Sequence, residues 1–260
     1  MKETHIFYTP KIVDDILELP QEEANHAIRV LRLKEDDPLM LTDGSGKFYE
    51  AVITLASPKH CQFKILRAYP DSKLWNGKIH IAFAPTKNMD RIEWAVEKMT
   101  EIGVDEISLL NCTNSERKVV KTERLEKIVV SAMKQSHKAF KPLVDEMTPF
   151  KSFIQQPFTG QKFIAHCYAP EDLNENLHDE PTPANGSIHQ TDQNFLGDIL
   201  IPGKDALVLI GPEGDFSIDE VKTAIRAGFQ PISLGKSRLR TETAALVAVH
   251  HMYIANRVKE

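Results

Sequence analysis

Leu207-Val208-Leu209-Ile210-Gly211-Pro212-Glu213-Gly214-Asp215-Phe216-Ser217 and Ile232-Ser233-Leu234-Gly235-Lys236-Ser237-Arg238-Leu239-Arg240-Thr241-Glu242-Thr243 are two stretches of the same design. Each begins as an apolar strand, turns at a glycine and opens a helix. A junction of this kind frees backbone N–H groups to hold a ligand. Two of them, about one helix and one strand apart, predict a single composite site built from neighbouring strand ends.

The sequence around them alternates strand and helix. Residues 79–84 read as a strand, and Asp90-Arg91-Ile92-Glu93 has capping-box spacing before a helix that Gly103 stops. A strand over 105–110, a helix from 122 to about 140 ended by Pro142, and a strand over 162–167 follow. Ser217-Ile218-Asp219-Glu220 is a second capping box, opening a helix that ends at Gly228. Such alternation predicts an α/β fold with a mostly parallel sheet, and a ligand at the carboxyl ends of its strands. Residues 170–203 are polar and without periodicity, which points to a functional loop or a disordered insertion.

The first 70 or so residues are different: short strands are expected over 5–9, 38–42, 47–55 and 61–68, with a helix over 22–31. Asp43-Gly44-Ser45-Gly46 is a hairpin turn. It is not a phosphate-binding loop, because the spacing is wrong and a strand follows it. The pattern predicts a small barrel-like domain over 1–72, a linker near 70–73, and a second domain over 73–260 with 170–203 as its insertion.

The 260 residues are 42% hydrophobic and 27% charged, the proportions of an ordinary globular protein. No signal-peptide pattern and no membrane-length apolar run is present, and Cys61, Cys112 and Cys167 form no CxxC pair. The default expectation is a cytoplasmic protein with no membrane association, no disulfide framework and no metal. The net charge of −5 hides an uneven distribution. Residues 171–200 hold seven acidic residues and no Lys or Arg, whereas 117–141 hold eight basic and two acidic ones. The basic stretch is either a phosphate-holding surface or the solvated face of a helix. The glycine stretches match neither GxGxxG nor the Walker A pattern. With Glu213, Asp215, Lys236, Arg238 and Arg240 they are either an anion or nucleotide-like ligand site or two stretches in which Gly211 and Gly235 only turn the chain.

Leu209-Ile210-Gly211-Pro212-Glu213-Gly214 and Leu239-Arg240-Thr241-Glu242-Thr243-Ala244 resemble the signature motifs of the RsmE family, SPOUT-class RNA methyltransferases that use S-adenosylmethionine (SAM). His26-Ala27-Ile28-Arg29-Val30-Leu31-Arg32 with Asp43-Gly44 resembles the family's PUA-like RNA-binding domain. Glu97-Lys98-Met99-Thr100-Glu101-Ile102-Gly103-Val104, Ser115-Glu116-Arg117 and Gln135-Ser136 through Pro142 resemble further family motifs, so the match spans nearly the whole chain. The sequence departs from the pattern at Asp215, where Gly is usual, at Lys138, where Arg is usual, and at Ser237, where the Arg is displaced to Arg238.

The resemblance implies a SPOUT-type parallel sheet with a C-terminal trefoil knot, an N-terminal PUA-like β-barrel, and a homodimer. It implies SAM-dependent methylation of a uridine N3 in 16S ribosomal RNA, with the rRNA or the small ribosomal subunit as partner. The alternatives are a SPOUT enzyme for another RNA or base atom, or a non-catalytic RNA-binding protein of the same fold. The implied SAM-contacting residues are Ile210, Gly211, Pro212, Glu213, Gly214, Leu234, Gly235, Ser237, Leu239, Arg240, Thr241 and Thr243, with His166 either lining the pocket or structural. Arg240 is the candidate for stabilising charge on the uracil. Glu213 is a candidate base, a partner for the sulfonium, or a structural partner of Arg240. Thr241 and Thr243 either bind ligand or cap the last helix. Arg29, Arg32, Lys134 and Lys138 are candidate phosphate contacts.

Overall fold

The structure is a computed structural model, which describes residues 5–10, 12, 17–173 and 194–258. The chain divides into two compact units, Met1–Lys73 with Lys127–Lys141, and Leu74–Glu126 with Pro142–Glu260. A single cut near residue 72 therefore misses the return of 127–141 to the first unit.

The first unit is built on β1 (Ile6–Tyr8), β2 (Leu17–Glu18), α1 (Gln21–Asn25), β3 (Pro38–Thr42), β4 (Lys47–Leu55) and β5 (Gln62–Pro70). The sheet order is β1-β3-β4-β5-β2, with β1 parallel to β3 and the other pairings antiparallel. Along β4 the residues Tyr49, Ala51 and Ile53 are buried in alternation, the mark of a strand with one face on a core. They pack with Phe7, Leu39, Leu41 and Phe63, and with Ala24 and Ala27. The helix expected over 22–31 is α1 continued by one wider π-helical turn, His26–Val30. Asp43–Gly46 forms the expected hairpin turn, with Gly44 and Gly46 at φ 81° and 94° and the Ser45 N–H donating to Asp43 Oδ1 at 2.8 Å. The barrel expectation is met in part: no β1–β2 ladder closes the sheet among the described residues.

The second unit holds β6 (Ile79–Phe83), α2 (Met89–Ile102), β7 (Glu106–Asn111), the start of α3 (Thr122–Gln135), β8 (Leu143–Val144), β9 (Thr148–Pro149), α4 (Phe150–Phe153) and β10 (Gln161–Ala165). It continues through β11 (Asn194–Phe195), α5 (Leu196–Ile199), β12 (Ala206–Ile210), α6 (Ile218–Arg226), β13 (Gln230–Ser233) and α7 (Thr241–Asn256). The sheet is parallel throughout, in the order β11-β13-β10-β12-β6-β7-β8, with β9 beside β7. Strands β6 and β12 are buried at every position, as expected of strands covered on both faces. Both β12 and β13 are inserted between strands already laid down, β12 between β10 and β6, β13 between β11 and β10.

On one face Ala82, Leu207 and Leu209 pack with Phe150 and Phe153 of α4 and with Phe216, Val221 and Ala224 of and before α6. Against the other, α7 packs on β6, β12 and α2, using Ala244, Ala245 and Ala248 for a close approach. Neighbouring strands β6 and β12 thus send the chain to helices on opposite faces. That is a switch point, and in such sheets ligands bind outside the carboxyl ends of the strands there.

Three expectations need correction. The cap of α2 is Asn88, whose side chain accepts the Asp90 N–H at 2.9 Å, and not Asp90 itself. Helix α3 stops at Gln135 rather than near 140, because His137 turns left-handed at φ 54° and the Ser136 hydroxyl bonds back to the Ala132 carbonyl at 2.7 Å. Of the expected insertion, 170–173 form a short turn and 194–199 form β11 and α5, which belong to the packed fold; 174–193 lie outside the described residues.

Candidate active site

Four strands end in register. Phe83 of β6 lies beside Ile210 of β12, Ile210 beside Ala165 of β10, and Ala165 beside Ile232 of β13. The next residues, Ala84, Gly211, His166 and Ser233, therefore form one rim, about 14 Å across at the usual strand spacing. Both glycine stretches open from this rim.

The first is fixed from several sides. A Cβ on Gly211 would sit 2.9 Å from the Phe216 nitrogen and 3.0 Å from its ring, so only glycine allows the loop to fold back this closely. The Asp215 N–H donates to the Pro212 carbonyl at 2.9 Å, closing a turn. Asn114 Nδ2 donates to the carbonyls of Gly214 and Asp215 at 3.4 and 3.1 Å. The Tyr168 hydroxyl donates to the Phe216 carbonyl at 2.6 Å. Then α6 begins with the predicted capping box of Ser217 and Glu220, and the buried Glu220 also accepts the Thr113 N–H at 2.8 Å.

The second stretch is open. Gly235, at φ 126°, has nothing within 4 Å of where a Cβ would stand. Its N–H donates to Ser233 Oγ at 3.1 Å. Lys236, Ser237, Arg238 and Arg240 are exposed, and Leu234 and Leu239 half-buried. Arg240 occupies the N-cap of α7 and offers no side-chain cap, which leaves the first N–H groups of the helix without an intrahelical partner. Neither threonine caps α7. Instead the buried Thr241 hydroxyl donates to the Gly211 carbonyl at 3.0 Å and ties the two stretches together, while Thr243 is half-buried.

The structure sets Gly211 and His166 at neighbouring strand ends and ties Thr241 to Gly211, with Ile210, Gly211 and Pro212 buried and Glu213 and Gly214 exposed. Glu213 and Arg240 form no ion pair with each other among the described residues; the Glu213 carboxylate stands 3.5 Å from the Lys87 N–H. His166 is buried, and its Nδ1 accepts the Tyr168 N–H at 3.2 Å, so a neutral ring carries its proton on Nε2. Burial lowers its pKa, with Asp215 opposing. Burial pushes the Cys167 thiol and the Tyr168 hydroxyl up, with Asp215 adding to both.

The phosphate candidates sort differently. Arg29 and Arg32 are exposed. Lys134 is paired with Glu23, and Lys138 is 8% exposed, which does not suit a surface phosphate contact. Sequence reasoning missed Asn114, and it quoted Arg117 without a role. Arg117 pins the loop between β6 and α2 through Nε to the Thr86 carbonyl at 3.1 Å and a second bond to the Lys87 carbonyl. Both arginine bonds are tertiary, so no local signal marks them.

Among the described residues of the second unit, one group could hold a cation. Ligand atoms of His80, Glu106 and Asp145 lie within 4.8 Å of one another. Sequence reading could not find it, because the three meet only through the sheet. They are largely satisfied internally: His80 Nε2 is 2.8 Å from Ser108 Oγ, that hydroxyl donates to Asp145 at 2.5 Å, and Lys78 pairs with Glu106. Burial lowers the His80 pKa to about 4. Its Nδ1 is buried without a partner, whereas metal-bound histidines usually donate from the second nitrogen.

Comparison with known proteins places the whole chain in a family. Residues 73–253 match the family model described as RNA methyltransferase domain, and 19–66 match RNA methyltransferase PUA domain. The chain is similar in structure to a probable rRNA-methyltransferase from Porphyromonas gingivalis, with 42% identity, a TM-score of 0.84, and 97% and 98% of the two chains covered. It is similar to ribosomal RNA small subunit methyltransferase E from Neisseria gonorrhoeae bound to S-adenosyl methionine, with 27% identity, a TM-score of 0.77 and the same coverage. Among sequences, ribosomal RNA small subunit methyltransferase E of Synechocystis is 28% identical over 241 residues, 92% of this chain and 73% of that protein. With 181 of its 260 residues inside the methyltransferase model and a PUA domain preceding them, the chain belongs to the RNA methyltransferase family.

Proposed function

We infer that this protein is a SAM-dependent methyltransferase acting on N3 of a uridine in 16S ribosomal RNA. The observation that carries the reading is the convergence of both glycine stretches on one strand-end rim, in a chain similar over 97% of its length to a SAM-bound rRNA methyltransferase. The residues present fit the cosubstrate. The first stretch is a preformed wall of backbone groups, and the open space beside Gly235 leaves room that a side chain would fill.

When bound, SAM supplies an electrophilic methyl group, and the protein's part is to place N3 in line with it and manage charge. The main-chain groups of Ile210, Gly211, Pro212 and Gly214, with Leu234, Gly235, Ser237 and Leu239, hold the cosubstrate, and Thr241 fixes the distance between the two walls. His166 stands at the same rim, directly after β10. The uncapped N-terminus of α7 and the exposed Arg240 together favour negative charge, which suits a uracil losing its N3 proton. Glu213 is the exposed carboxylate at the rim and the candidate acceptor for that proton.

The SPOUT knot belongs to the same reading. It is supported by the insertion of β12 and β13 between earlier strands. A homodimer is supported by Trp94 of α2 and Ile254 of α7, 44% and 42% exposed on two helices that pack together. Arg29 and Arg32 of the first unit supply phosphate contacts. A cytoplasmic location follows from the substrate; no helix among the described residues is long and apolar enough to cross a membrane.

Purified protein, methyl-labelled SAM and small ribosomal subunits test the reaction. Label recovered as 3-methyluridine is the expected result. SAM binding without labelled rRNA would reduce the protein to an RNA-binding relative of the enzymes.

A further inference from the structure

Asp215 is a non-glycine residue held in the left-handed region, at φ 66°. An L-residue resists that conformation, and aspartate is one of the few that visit it. Such an outlier persists where its surroundings hold it. Here the hold is visible. Asp215 Oδ1 accepts the N–H of Phe216 at 2.7 Å, and Oδ2 accepts the N–H of Cys167 at 2.8 Å. One carboxylate therefore binds the first glycine stretch, after β12, to the loop after β10. Both are charge-assisted bonds, stronger than neutral ones. The loop it secures carries His166 at the rim.

We propose that Asp215 is a positioning residue of the cosubstrate site, a carboxylate clamp that joins the first glycine stretch to the His166 loop and holds both in the binding geometry. The proposal rests on the SAM reading above. A glycine at 215 would relieve the backbone but leave the two N–H groups without their acceptor. The two stretches could then part, although nothing in the core is removed. An asparagine would tolerate the left-handed backbone and keep one carbonyl oxygen, hence one of the two bonds.

Calorimetric titration of the full chain with SAM, thermal melting and steady-state kinetics on small subunits separate these cases. Asp215→Gly is expected to weaken SAM binding at least about tenfold, since both charge-assisted bonds that hold the wall are lost. Its melting temperature falls only a little, because relief of the left-handed backbone offsets part of the lost bonding, and KM for SAM increases more than kcat falls. Asp215→Asn falls between it and the wild type. Wild-type SAM affinity in Asp215→Gly would overturn the clamp and leave the methyltransferase reading intact. A loss of affinity matched by an equal loss of thermal stability in both variants would reduce Asp215 to a fold-stabilising residue. No SAM binding by the wild type would remove the SAM reading and the clamp with it.

Discussion

The two glycine stretches share a sequence design and differ in how they are held. The first is buried at Gly211 and Pro212, turned at Asp215, bonded by Asn114 and Tyr168, and closed by a capping box. The second is exposed from Gly235 through Arg238, rests on its Ser233 turn, and joins the first through Thr241. The contrast separates two jobs. A wall that must present backbone groups to a ligand is built in advance, which lowers the ordering cost of binding. On the proposed reading the wall that carries the cations admits a nucleotide, and it gives up internal bonds for that freedom. On the same reading the charge-stabilising cation, Arg240, stands on the open stretch, and the candidate base, Glu213, is the exposed part of the otherwise closed one.

Arg240→Ala should break the comparison on the chemical side. Transfer is expected to fall at least about a hundredfold, as for loss of a group that stabilises developing charge, with melting temperature and SAM affinity little changed. Wild-type turnover would move the chemistry off the open stretch. The paired substitutions Gly211→Ala and Gly235→Ala sharpen the structural side. The first drives a methyl against the Phe216 backbone and should cost about 1–3 kcal/mol of stability, together with SAM binding. The second meets open space and suffers only its positive φ, about 1 kcal/mol. Equal costs at both positions would erase the distinction. Thr241→Val removes the link between the stretches and leaves a buried carbonyl unpaired, for about 1–2 kcal/mol. Its effect should appear in denaturant midpoint and in KM for SAM together.

Acid provides the mildest probe. Burial lowers the pKa values of His166 and of His80, the latter to about 4, so the unfolded chain binds more protons than the native one below about pH 6.5. Stability contributed by these neutral rings is complete above that pH and declines as pH falls toward 4. The denaturant midpoint should therefore drop across that window, and His166→Gln should make the drop shallower.

What the sequence disclosed followed from local rules. The apolar runs of β6 and β12, the Ser217–Glu220 capping box and the Asp43–Gly46 turn each have a cause within a few residues. What it concealed depends on distant partners. The end of α3 rests on a left-handed His137 that no motif announces. The two-residue strands β9 and β11 exist only because β7 and β13 pair with them. Within the site, the glycines and Arg240 were legible as types at a spacing. The hold of Asn114, Cys167 and Tyr168 on the first stretch was not, since each comes from another strand end. Sequence likewise placed Lys138 on the surface, where the structure buries it.

The most direct test of the reaction is a map of modified nucleosides in 16S rRNA from cells lacking this protein. The expected result is the loss of one 3-methyluridine, restored by the wild-type protein and not by Arg240→Ala. An unchanged complement of 3-methyluridine in those cells would contradict the assignment.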